Sequence, residues 1–514
     1  MTAHRTGRLL VAGLALTALT AACGLKSEAN DSLKAPGTAG AATGATTGTG
    51  AGTTGTATTG AVGTVGGATT GGATTSGGVV AGGTTTTGGT TTTGGTTTTG
   101  GSTGTTTGGS QPATGASCGT PTNGDTTGIT AKAINIGLHA PLTGTGTPFP
   151  NSSFKAGAAT FWQQSGHTVC GRNVQVEFQD DTYTPAGARN VCSQMAKRDF
   201  FVVGGGGTDQ IQACATDPDV QRGQVPYLSA GVTDNGLTSL KNYFAVSLTY
   251  AQQGTLVLQN AKNQGIANPS ASKVASDNIK GKNAVWAIVT GSSPNFSGAR
   301  DGIDKALTAA GIPYKNYPVD QNGNYQASAT QFGQQLALNG FKTIFVDAAP
   351  GYFVFMTGGF YGAHVGAANW VGPGVTYTEV TVAQYICSSS KDAINGHAYF
   401  LSPAPGLDHA TQDFKAAYNG KYDDIEWALW GLSETLWSLL KDASANLTRE
   451  NFIASSEHAT IPGSVYPPVD FLHHGGHFGG TGAYVQKVNC NKTEPNQNQP
   501  GSWDTVGNGY LRLF

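Results

Sequence analysis

The sequence predicts an α/β fold of two lobes, each a parallel sheet covered by helices, set behind a long disordered tether. Three observations carry that reading. Strand patterns alternate with helical patterns from Ile129 onward. The alternation comes in two series, divided near Thr249. Between Lys34 and Asp125 there is no charged side chain. Repeated strand–helix alternation is the pattern of parallel sheets with helices packed on their faces. A stretch made almost wholly of Thr, Gly, Ala and Ser cannot bury enough apolar surface to offset the entropy of ordering it.

The elements follow in order. Residues 133–138 (Ala-Ile-Asn-Ile-Gly-Leu) read as a buried strand, followed by a Gly/Pro/Thr loop and a helical pattern from Ser152 to Gln164. Val174 to Phe178 alternates as a strand does, and Pro185 to Lys197 fits a helix, with Val191 and Met195 four residues apart. The apolar run Phe200 to Val203 leads into four glycines, Gly204 to Gly207, with a helix from about Thr208 and a short strand from Pro226 to Ser229. The second series has strands at Asn283 to Thr290 and Lys342 to Asp347, and helices at Ser297 to Ala310 and Tyr352 to Tyr361. The aromatic C-terminal portion adds helices, in which Trp427, Trp430, Trp437 and Leu440 recur at helical spacing as a core face.

The N-terminus carries an export signal: His4, Arg5 and Arg8, then the apolar run Leu9 to Leu19, too short to span a bilayer. The segment Leu19-Thr20-Ala21-Ala22-Cys23 resembles the lipobox of bacterial lipoproteins, with Thr20 where that pattern most often has Leu. The resemblance implies acylation of Cys23 and anchoring at the outer face of the bacterial cytoplasmic membrane. The expected organisation is a signal peptide over 1–22, a tether over 23–117 and a folded module over 118–514. Lobe 1 covers about 132–249 plus a later segment, and lobe 2 about 250–385 plus a C-terminal segment. A Gly-rich coil of that tether's length has a root-mean-square reach of about 50 Å. Its dense threonine also suits a glycosylated stalk.

Six further cysteines (Cys118, Cys170, Cys192, Cys214, Cys387 and Cys490) suit disulfides in an oxidising compartment. Proximity in sequence pairs Cys170 with Cys192 and Cys387 with Cys490, leaving Cys118 with Cys214. A net charge of −2 gives no footprint for nucleic acid. The sequence has no H-E-x-x-H and no P-loop, and G-x-G-x-x-G fails at Asp209. Asp180 and Asp181 are neighbours on a strand and point to opposite faces, so they make no acid–base pair. The chain is read as non-enzymatic and without a cofactor. His473, His474 and His477 lie in a Gly-rich stretch and are read as a surface loop, not a metal site.

Four segments carry a family resemblance: Ile136 to Gly144 with its Pro-Leu-Thr-Gly ending; Phe178-Gln179-Asp180-Asp181 with Pro185 and Ala188; Val203 to Thr208; and Pro226 to Asp234 with Leu237-Thr238. In that order and spacing the chain resembles the leucine/isoleucine/valine-binding family of type I periplasmic binding proteins over almost all of 132–490. The resemblance implies two Rossmann-like lobes joined by a three-strand hinge, closing on a small polar ligand (an amino acid, amide or small carboxylate) and delivering it to an ABC permease. It places Gly207, Thr208, Ser229, Gly231 and Thr233 at the ligand's carboxylate and Phe296 at an aromatic wall. The acidic partner of an amino acid's ammonium follows a Gly-Pro in that family, but here Gly374 follows Gly372-Pro373. Either Glu379 or Asp347 supplies that charge, or the ligand is not an α-amino acid. A surface adhesin or wall spacer, or a sensor for a signalling partner, are the alternative functions.

Overall fold

The computed structural model describes residues 121–144, 151–230, 235–321, 325–374, 378–495 and 497–513. The signal segment, Cys23, the tether and Cys118 lie outside the described residues, as do Gly231 and Thr233. The first lobe contains β1 (Ala133–Ala140), α1 (Asn151–Gln163), β2 (Thr168–Val169), β3 (Arg172–Asp180), α2 (Pro185–Met195), β4 (Phe201–Gly204), α3 (Thr208–Ala215), α4 (Pro218–Arg222), β5 (Tyr227–Ser229) and β6 (Tyr243–Ala245). Its sheet runs β2-β3-β1-β4-β5-β6, parallel except for the β2–β3 pair. β1 and β4 are buried almost throughout, as strands covered on both faces must be. α2 begins where Thr184 accepts a hydrogen bond from the Gly187 amide and Pro185 pre-sets the first turn.

After β6 the chain crosses to the second lobe. A capping box between Thr249 and Gln252 starts α5 (Tyr250–Asn263). Then come β7 (Trp286–Gly291), α6 (Ser297–Ala309), β8 (Tyr314–Val319), α7 (Gln326–Leu338), β9 (Thr343–Asp347), α8 (Pro350–Gly362), β10 (Asn369–Pro373), α9 (Val380–Ile394) and β11 (Ala398–Ser402). A second crossing returns α10 (Gln412–Ala417), α11 (Asp424–Asp442), α12 (Arg449–Ser456), β12 (Thr460–Ile461) and β13 (Val469–Asp470) to the first lobe. There the Trp437 indole donates to Thr168 O and Tyr418 Oη to Ala156 O. A third crossing delivers β14 (Gly482–Asn489), β15 (Ser502–Thr505) and β16 (Leu511–Arg512). These add antiparallel strands beside β11, giving the order β15-β14-β11-β10-β9-β7-β8 with β16 on β14. An all-parallel sheet did not anticipate this edge. No helix among the described residues is long and apolar enough to cross a membrane.

The first and third crossings run side by side. Ala245 donates to His477 O at 2.8 Å and accepts from the Gly479 amide at 2.9 Å. A Cβ on Gly480 would lie 2.3 Å from the Ser247 carbonyl carbon and 2.4 Å from the Leu248 nitrogen. Only glycine permits that approach.

Trp427 and Trp430 are buried in the first lobe's core, as their spacing implied. The disulfides correct two pairings, Cys170 with Cys192 and Cys118 with Cys214. Cys192 bonds Cys214, not Cys170, with the Cα atoms 5.5 Å apart. The reason is tertiary: α2 and α3 pack side by side on one face of the sheet and bring these two cysteines together. That bond also removes Cys214 as a partner for Cys118. Cys170 is disulfide-bonded as well. Cys387 pairs with Cys490 as expected, tying α9 to the end of β14.

Candidate functional site

In open α/β sheets, ligands bind beyond the carboxyl ends of the strands. Here those ends belong to both lobes and face one another. From the first lobe, β4 runs through Gly204 to Gly207 into α3. Gly207 has φ +81°, a conformation that glycine adopts without strain. Thr208, the first residue of α3, is buried, and its Oγ1 lies 3.1 Å from Tyr250 Oη. Tyr250 opens α5, and its ring stacks nearly parallel to that of Phe296, with centroids 6.3 Å apart. The structure therefore brings together Gly207, Thr208 and Phe296, which are far apart in sequence. It adds Tyr250, which sequence reasoning missed; its one signal is its place just after the capping Thr249.

Further contacts close this junction. Asp209 Oδ1 accepts from Ser293 Oγ at 2.8 Å and from Asn295 Nδ2 at 2.6 Å. Asn235 Nδ2 donates to Asn295 Oδ1 at 2.9 Å. Asp209 and Asn235 belong to the first lobe, Ser293 and Asn295 to the turn after β7 in the second. Tyr183, in left-handed backbone at φ 54° after β3, stands near Tyr325, Asp209 and Asp181, and burial pushes its hydroxyl well up. At the end of β9, Asp347 is 2 % exposed and its Oδ2 has no hydrogen-bond partner. Burial alone pushes its carboxyl well above the usual range. The Tyr250 hydroxyl is also raised, by burial first and then by Asp347.

Two expected residues sit differently. Ser229 is fully buried, and its Oγ lies 2.8 Å from Tyr243 Oη within the first lobe. Close by, His139 Nδ1 is 2.9 Å from Asp181 Oδ2 and Nε2 is 2.7 Å from Tyr227 Oη. Asp180 turns the other way and accepts from the Leu142, Thr143 and Thr182 amides. Glu379 lines a chamber of about 80 Å³ at the lobe junction, whose lining does not include Thr208 or Phe296. Gly204, Gly205 and Ala230 of the first lobe line the same chamber, as does Asp424, and burial with Asp424 nearby pushes the Glu379 carboxyl well above its usual range. Asp424, too, had no signal in the sequence beyond its acidity.

The C-terminal histidines bond locally. His473 pairs with Asp470 at 2.9 Å, and His477 approaches Glu457 at 3.3 Å. The one grouping among the described residues close enough for a metal is His139 with Cys192 and Cys214. Both of its sulfurs are in a disulfide and both imidazole nitrogens are taken.

The profile of the periplasmic binding protein family matches residues 133–494. The chain belongs to the periplasmic binding protein family. No curated protein sequence matches it. Among solved structures, this periplasmic binding protein is similar to a fatty acid ABC transporter substrate-binding protein from Thermomonospora curvata, with a TM-score of 0.60 and 15% identity over 74% of this chain and 94% of that one. It is also similar to a solute-binding protein of an ABC transporter from Rhodopseudomonas palustris in complex with 3,4-dihydroxybenzoic acid, with a TM-score of 0.56 and 17% identity over 73% and 98%. A third is the branched-chain amino acid transporter substrate-binding protein from Streptococcus pneumoniae in complex with isoleucine, with a TM-score of 0.52 and 14% identity over 73% and 100%. Identities this low establish the fold.

Proposed function

We propose that this chain is an extracytoplasmic solute receptor. It captures a small polar ligand (an amino acid, an amide or a small carboxylate) by lobe closure and delivers it to an ABC permease. It is held at the outer face of the cytoplasmic membrane by lipid on Cys23, and it catalyses no reaction. One observation carries this reading: the Thr208–Tyr250–Phe296 contact lies where the strand ends of two lobes meet, beside a buried Asp347 oxygen with no protein partner. A surface adhesin has no use for such a junction. The solved relatives support the class of ligand, since one holds an aromatic acid and another an amino acid on this fold. Closure supplies the signal a permease reads, because open and closed forms present different surfaces.

A thermal-shift screen of the full chain against amino acids, short amides, urea-like solutes and small carboxylates tests the reading. Ligand at a hundredfold excess over Kd adds about 2.7 kcal/mol to the apparent stability of a native-state binder. A flat response across the whole library, from protein shown to be folded and ligand-free, would count against a receptor and for a spacer.

A further inference from the structure

The chamber that Glu379 lines at the lobe junction holds a feature that ligand capture does not explain. Glu379 precedes α9 and belongs to the second lobe; Asp424 opens α11 and belongs to the first. Both residues line the chamber, and the Val380 amide donates to Asp424 Oδ2 at 3.1 Å across the junction. Two carboxylates in one small chamber repel, and a proton on one of them removes that repulsion and lets the pair share a hydrogen bond. No Lys, Arg or His is among the described residues lining the chamber.

The groups facing the pair come from every neighbouring element, and most are acidic or neutral. Asp423, at the α11 N-cap, accepts from Ser153 Oγ of α1 and from the Glu426 amide, while Glu426 Oε2 accepts from the Asp423 amide. Its charge disfavours ionisation of both Glu379 and Asp424. Tyr418 stands near Asp423 and Glu426. Glu494, after β14, lines the chamber, but Lys492 holds it at 2.8 Å and Asp504 at 2.9 Å. Tyr422 lies beside that Lys492–Glu494 pair. Lys492 is therefore committed away from Glu379 and Asp424.

We propose that lobe closure takes up one proton, which Glu379 and Asp424 then share across the junction, so that acid favours the closed receptor. When the lobes part, each carboxyl meets water and ionises in the ordinary range; when they close, one must be protonated. Burial raises both carboxyls, Glu379 well above its usual range and Asp424 to about 7, so the closed form holds at neutral pH a proton that the open form has lost. The inference rests on the closing movement in the reading above, but it is tested without any ligand.

The experiment is a distance measurement in the full chain. Nitroxide labels are placed at Lys197→Cys in the first lobe and Leu338→Cys in the second, both exposed, with Cys23→Ser to keep labelling specific. Between pH 6 and pH 8.5 the closed-to-open ratio should fall by up to about tenfold per pH unit. In Glu379→Gln the amide donates to the Asp424 carboxylate in place of the shared proton, so the ratio should stay flat and closed. Asp424→Asn, the reciprocal change, serves if the first variant fails to fold. A wild-type distribution that shifts with the library compounds but not with pH overturns the proton link and leaves the receptor standing. One that shifts with neither counts against both. A pH response that survives in the carboxamide variants overturns the assignment to this pair.

Discussion

Asp347 is the residue whose chemistry is least settled by its surroundings. Its carboxyl is buried, one oxygen lacks a partner, and burial raises its pKa. The sign of the consequence is fixed. Below the ordinary carboxylate range the group is neutral in both folded and unfolded chains, and it has no effect on stability. As pH rises above that range the unfolded chain gives up its proton while the native one keeps it, so stability falls. Asp347→Asn should therefore flatten the decline in urea midpoint between pH 5 and pH 8, leaving the variant more stable at pH 8 by about 1–3 kcal/mol. A lower midpoint for the variant at pH 8 would mean the carboxyl is a structural anchor. Thr233 lies outside the described residues but in the loop the family resemblance assigns to the ligand's carboxylate. Thr233→Ala should weaken the ligand found in the screen by about tenfold or more, roughly 1.4 kcal/mol, with the melting temperature unchanged. Unchanged affinity by calorimetry would remove that loop from the site.

At the level of elements, the two disulfides with both partners described do unequal work. Cys192–Cys214 spans 22 residues and holds α2 against α3; Cys387–Cys490 spans 103 and holds α9 to the end of β14. Loop-closure entropy sets their stabilisation at about 3 and about 5 kcal/mol. Cys387→Ala with Cys490→Ala should thus lower the denaturation midpoint more than Cys192→Ala with Cys214→Ala. The reverse order would show that packing between α2 and α3 outweighs chain entropy. The elements themselves were legible in sequence where burial is two-sided. Runs such as Phe200 to Val203 and Lys342 to Asp347 became β4 and β9 within a residue or so. β14 to β16 were not legible, because partly exposed antiparallel strands at a sheet edge carry weaker apolar signals and their partner β11 lies about 80 residues away.

For the whole molecule, the fold could be read from the order of its motifs, whereas the site could be read only in pieces. Thr208 and Phe296 could be singled out in sequence because each stands at a strand end or helix start that the family pattern marks. Asp209 with Asn295, and Glu379 with Asp424, were not, because they become neighbours only where the two lobes meet. No local periodicity records that meeting. Export and anchoring make a prediction at the same scale. Under the proposed acylation of Cys23, Cys23→Ala should move the chain from the membrane fraction to the soluble extracytoplasmic fraction, since acyl chains anchor at about 0.8 kcal/mol per buried CH₂. Retention on the membrane would point to another anchor.

The paired first and third crossings have a mechanical consequence. Joined by the Ala245 hydrogen bonds and pressed together at Gly480, they bend as one laminated beam. A beam of two bonded plies flexes readily about one axis and resists shear between the plies. The swing of one lobe against the other is thereby held near a single degree of freedom, like a door on a strap hinge. The same register of strand ends meets each time it shuts.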